Sequence, residues 1–153
     1  MEDCCCRSLP DLAVVPMGGN GQDERVFATL NNIRDHSPKL WWLYLSRCSA
    51  CEQEWLVAQD DRIYDNYYLM RLDRAQAQDI AKDARWPNDF MSYERVLRLG
   101  RTLSEPWTFF DPQSPALVAT AEDLRKERPS IAIEEIAYLL GIEPKAAAQL
   151  LRS

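Results

Sequence analysis

Leu40-Trp41-Trp42-Leu43-Tyr44-Leu45 is an unbroken apolar and aromatic run, closed upstream by Pro38 and downstream by Cys48-Ser49-Ala50-Cys51. A run this short, apolar on both alternating faces, reads as a strand covered on two sides and therefore central in a sheet. Glu52 to Gln59 and Arg62 to Leu72 are two more strand-like runs, separated at Asp60-Asp61. Together they predict an antiparallel meander of about three strands.

Upstream of the run, Val26, Phe27, Leu30 and Ile33 recur at helical spacing, which predicts an amphipathic helix from Asp23 to Asp35 that Pro38 ends. Residues 1–23 carry a cysteine run, two prolines and Gly18-Gly19-Asn20-Gly21, a composition that favours an irregular arm. Downstream the pattern turns helical: Asp73 to Ala84, then a segment opened by Pro87 and closed by Gly100. Trp107, Phe109, Phe110 and Pro112 make a loop. Thr120 reads as an N-cap, followed by helices to about Arg128, from Ile133 to Leu140 and from Pro144 to Arg152. The expected architecture is a single α+β domain of about six helices. It has an arm at 1–23, a core at 24–112 and a three-helix, helix-turn-helix-like cap at 113–153.

The chain has 153 residues, 46% of them hydrophobic, enough for a substantial core without staples. Its 18 Lys and Arg against 24 Asp and Glu leave a net charge of -6, which repels polyphosphate and anionic lipid and attracts a basic protein. Met1-Glu2-Asp3 offers no positively charged leader and no long apolar stretch follows, so a cytoplasmic location is expected. In that compartment Cys4, Cys5, Cys6, Cys48 and Cys51 read as reduced thiols or metal ligands.

Cys48 and Cys51 at a tight hairpin can both point at one tetrahedral zinc, and Cys4 and Cys6 can supply the other half of the site. His36 is a further candidate ligand. Glu52 stands where a zinc knuckle usually has glycine. The alternative is a set of buried thiols without metal. A redox motif of the thioredoxin kind starts a helix after a strand, whereas this one joins two strands.

Around the hairpin, Trp42, Tyr44, Glu52, Glu54, Asp60, Asp61, Tyr64, Asp65 and Tyr67 mix carboxylates with large amphipathic rings, a combination suited to a protein-binding face. The competing reading is that the rings fill the core and the acids are a solvated face. Glu52 and Glu54 as an acid and base pair lie on one strand face with no second motif, and Cys48 with His36 is an incomplete nucleophilic pair. The chain has no P-loop, dinucleotide glycine fingerprint or Gly-x-Ser-x-Gly elbow, so no enzymatic activity is expected.

From Ile133 to Leu150 the sequence resembles a helix-turn-helix unit, with Ala137 where the helices cross, Gly141 at the turn, and Ile136, Leu140, Ile142, Ala147 and Leu150 as shared core. Only Lys145, Gln149 and Arg152 could face nucleic acid, beside Glu134, Glu135 and Glu143. The stretch Trp41 to Leu72, with Cys-x-x-Cys, Trp55-Leu56-Val57 and Arg62-Ile63-x-Asp65-x-Tyr67-x-Leu69, resembles small bacterial immunity-type proteins of unassigned activity over about a fifth of the chain. That resemblance implies an inhibitor that occludes a toxin without chemistry. The leading expectation is an acidic cytoplasmic protein-binding module of the immunity or antitoxin type. The alternative is a zinc-stabilised helix-turn-helix DNA-binding regulator.

Overall fold

The computed structural model describes residues 4–17, 21–36, 42–60, 62–63, 65–103 and 115–151. The chain divides into two compact units: residues 1–59 with 66–91, and residues 60–65 with 92–153.

The first unit is built on a sheet of five strands, not three. These are β1 (Leu12–Pro16), β2 (Leu30–Asp35), β3 (Leu43–Cys48), β4 (Glu54–Asp60) and β5 (Asn66–Leu72), in the order β1-β5-β4-β3-β2. The expected meander is β3, β4 and β5. The two strands that sequence reasoning missed are the edges. β1 arises inside the supposed arm, where Leu-Ala-Val-Val pairs antiparallel with β5 and Pro16 sits at the last register position, opposite Asn66. A proline is tolerated there because an edge strand needs no further donor at its end.

β2 replaces the second half of the helix expected from Asp23 to Asp35. The helix, α1 (Gln22–Phe27), lasts only to Phe27. Beyond it Asn31 and Asn32 are weak helix formers, and pairing with β3 captures the segment instead. Asn32 Oδ1 accepts a hydrogen bond from Ser46 Oγ at 3.0 Å, and a bulge follows before Arg34. β3 is interior as expected, although β4 is the middle strand and is buried along nearly its whole length.

Alternation gives the sheet two buried faces. Ala13, Val15, Leu69, Trp55, Val57 and Cys48 lie on one, against Cys6, Leu9 and Val26. On the other, α2 (Arg74–Asp83) packs on β2 and β3 and is opened by a capping box between Asp73 and Gln76. Arg34 ties β2 to that helix, its guanidinium donating to the carbonyls of Ile80 and Ala81.

The second unit is helical: α3 (Tyr93–Leu103), α4 (Pro115–Glu127), α5 (Ile133–Leu140) and α6 (Pro144–Leu150). Gly100 was expected to end α3, yet it lies buried within the helix. Thr120 was expected to cap α4, yet it lies five residues inside, buried, its hydroxyl donating back to the Ala116 carbonyl at 2.7 Å. Gly141 does close α5, in the left-handed conformation, and Pro144 opens α6. No helix among the described residues is long and apolar enough to cross a membrane.

Candidate metal centre

Cys48 is the last residue of β3, so its direction is fixed by the sheet. The chain then reverses through Ser49, Ala50 and Cys51, and the turn is closed by Glu52 N–H donating to the Cys48 carbonyl and Cys48 N–H to that of Gln53, both at 2.9 Å. Glu52 has φ of 65°, the left-handed conformation that glycine usually supplies at this point of a knuckle. The backbone shape is therefore present without the glycine.

The other two thiols come from the N-terminal segment. Cys6 begins a short 3₁₀ turn, Cys6–Ser8, and is buried against the sheet. Arg71 on β5 fixes that segment: its Nη2 donates to the carbonyls of Cys6 (2.7 Å) and Leu9 (2.9 Å). Its Nε reaches Asp11 and its Nη1 reaches Gln53, so one guanidinium spans the N-terminal segment and the hairpin. The same group lies 4.4 Å from the centroid of the Trp55 ring.

As a result the Sγ atoms of Cys4, Cys6, Cys48 and Cys51 all lie within 4.8 Å of one another. A tetrahedral zinc with Zn–S near 2.3 Å requires sulfurs about 3.8 Å apart. The four thiols can hold a metal ion after contracting by no more than about 1 Å. Cys6 and Cys48 are buried, Cys4 is half-buried and Cys51 is exposed. Cys5 is not a member of this group.

The sulfurs are also surrounded by donors, the usual outer shell of a thiolate metal site. Trp55 Nε1–H donates to Cys6 Sγ at 3.4 Å. Thr29 Oγ1 lies 3.3 Å from Cys48 Sγ and its hydroxyl donates once that sulfur is a thiolate. The N–H groups of Ala50 and Cys51 also serve Cys48, and that of Gln53 serves Cys51. Burial alone would raise Cys48, but these donors outweigh it and lower the thiol to about 6. Cys6 is pushed well above the ordinary thiol value, chiefly by burial, with Trp55 opposing. A cation entering the cluster would displace the protons from such raised thiols.

His36 stands apart from the sulfurs, its ring 5.0 Å from that of Trp86. The aromatic and acidic residues expected at a contact surface fall in different settings. In the first unit Trp42 is buried and donates its indole N–H to the Phe90 carbonyl at 3.1 Å. Glu54 is buried and paired with Arg47 at 3.2 Å. Tyr44 and Tyr67 are half-buried, Tyr67 against Phe27, and Glu52 is exposed. In the second unit Asp60 is wholly buried, and its Oδ1 accepts from Arg62 N–H, Ile63 N–H and, at 2.6 Å, the Tyr93 hydroxyl. Asp65 is exposed with φ of 53°. Trp41, Asp61, Tyr64, Arg152 and the loop from Trp107 to Pro112 lie outside the described residues. On α6, Lys145 and Gln149 are exposed, as is Glu143 at its N-cap.

Thr29, Trp55, Gln53 and Arg71, which orient the thiols, were not found from sequence. Arg71 and Cys6 are separated by 65 positions, and no spacing rule connects them. The chain matches no family model, no curated protein and no solved structure.

Proposed function

We propose that the chain is a non-catalytic protein-binding module whose sheet unit is fastened by one zinc ion on Cys4, Cys6, Cys48 and Cys51. The single observation that carries the metal reading is the mutual approach of the four sulfurs within 4.8 Å. Two of them come from the N-terminal segment and two from a hairpin more than forty positions away. An all-thiolate tetrahedral set suits zinc or iron, and a closed four-ligand set is the form structural zinc takes. The ion acts here by joining segments, leaving no open position for a substrate.

The binding role rests on charge. With a net charge of -6 the partner is a basic protein, and an immunity-type inhibitor of a cationic toxin is the form of that role we favour. Duplex DNA fits less well, because the exposed donors of α6, Lys145 and Gln149, follow exposed Glu143 at the helix N-cap, and Glu134 on α5 is exposed too.

Elemental analysis of the purified full chain tests the metal reading: one zinc per chain is expected, and cobalt substitution should give the visible bands of a tetrahedral thiolate site. Protein that binds neither ion overturns it. For the binding role, a basic protein held at low salt and released at high salt is expected. Nucleic acid in its place would overturn that half.

A further inference from the structure

From the placement of the four sulfurs we infer that Cys51 is a modification site: the thiolate through which a hydroperoxide opens the metal centre. The inference rests on the zinc reading of the same cluster. Cys51 is the exposed member of the four, whereas Cys6 and Cys48 are buried and Cys4 is half-buried. It also lines a cleft of about 350 Å³ with Arg47, Gln53 and Arg74 among its walls. The same walls carry Glu52, Glu54 and Asp73, and Arg47 is paired with Glu54 at 3.2 Å, so the cleft suits a small uncharged oxidant such as hydrogen peroxide next to Cys51. Zinc keeps its ligands as thiolates, the nucleophilic form, so exposure decides which of them reacts.

Donors separate Cys48 further: Thr29 and two backbone N–H groups take up electron density there, whereas Cys6 has the Trp55 N–H and Cys51 that of Gln53, so burial is what sets Cys6 apart from Cys51. In the step proposed, Cys51 Sγ attacks one peroxide oxygen, an S–O bond forms and the O–O bond breaks. The second oxygen leaves with the electron pair and takes a proton from water. Sulfur is oxidised to sulfenic acid and the peroxide is reduced to water or an alcohol. A second thiolate of the cluster, within 4.8 Å, then displaces hydroxide from that sulfur to form a disulfide. The ion loses two thiolates and is released.

The test treats zinc-loaded full-length protein with substoichiometric hydrogen peroxide, a sulfenic-acid trap and a chromogenic zinc indicator. Peptide mass spectrometry then locates the trap. The expected result is trap on Cys51 ahead of Cys4, Cys6 and Cys48, with zinc lost in step, and the same pattern in Cys5→Ser, which leaves all four ligands in place. Trap first on another cysteine, or zinc retained after Cys51 is modified, overturns this inference and leaves the zinc reading standing. Protein that cannot be loaded with zinc overturns both.

Discussion

In the sheet unit, segments far apart in sequence meet at sulfur: residues 4–9 reach the 48–53 hairpin at the thiol cluster, and Arg71 hydrogen-bonds to both. In the helical unit the meeting point is charge. Glu94 on α3 accepts from Arg128 at 3.0 Å and from Arg98 at 2.9 Å, Arg128 also pairs with Glu135 on α5, and Glu127 accepts the N–H groups of Tyr93 and Glu94 at the start of α3. The difference between them is chemical. One should yield to chelators and oxidants, the other to acid and salt.

The largest effect expected is from metal removal. Cys48→Ser, or a strong chelator, should abolish a binding free energy on the order of 10 kcal/mol and release the N-terminal segment. Zinc content and protease cleavage within the N-terminal segment report it, while helical circular dichroism should hold. If both signals fall together, the two units are one cooperative body and the contrast fails. Next is Asp60→Ala in the helical unit, where two backbone N–H groups and the Tyr93 hydroxyl lose their acceptor. A loss of about 3 kcal/mol in urea unfolding is expected, against about 1 kcal/mol for Tyr93→Phe. Equal effects for the two would mean that the hydroxyl, and not the backbone turn, dominates.

Acid sharpens the contrast at about the 1 kcal/mol level. Burial alone would raise the Glu94 carboxyl, but hydrogen bonds from Arg128 and then Arg98 outweigh it and hold it below the ordinary value. A carboxyl lowered in the folded state contributes stability above its unfolded pKa and loses it as pH falls through the folded one. Urea midpoints of the helical unit should therefore drop below about pH 4, and Glu94→Gln should flatten that limb. A limb unchanged in Glu94→Gln would assign the acid response elsewhere. The smallest effect carries the opposite sign: Glu52→Gly should stabilise the sheet unit by about 1 kcal/mol, since the left-handed conformation at φ of 65° costs a residue with Cβ about that much. Destabilisation would mean that the Glu52 side chain holds the knuckle in a way its exposure does not suggest.

The legible parts were those with local causes. Gly141 and Pro144 marked a helix end and a helix start, Asp73 opened α2, and Cys48-x-x-Cys51 at a hairpin declared half a metal site. Cys4 and Cys6 were legible as partners only through their residue type. What escaped has non-local causes. The Leu30 and Ile33 spacing fits a helix, yet pairing with β3 makes it a strand. Leu12 to Val15 is too short to stand out until β5 is placed beside it. Trp42, Glu54 and Asp60 have the residue types of an interface, and only the three-dimensional partners Phe90, Arg47 and Tyr93 show them buried.

The strand order has a bearing on how the chain is made. β1 pairs with β5, the last strand of the sheet, and the Cys6 carbonyl is held by Arg71, 65 positions later. At about 5–20 residues per second, Cys4 and Cys6 leave the ribosome roughly 3–13 s before the strand that anchors them. Throughout that interval a nascent chain displays adjacent thiols with no fold around them, so reductant during synthesis is what keeps Cys4, Cys5 and Cys6 from bridging to one another before the sheet closes.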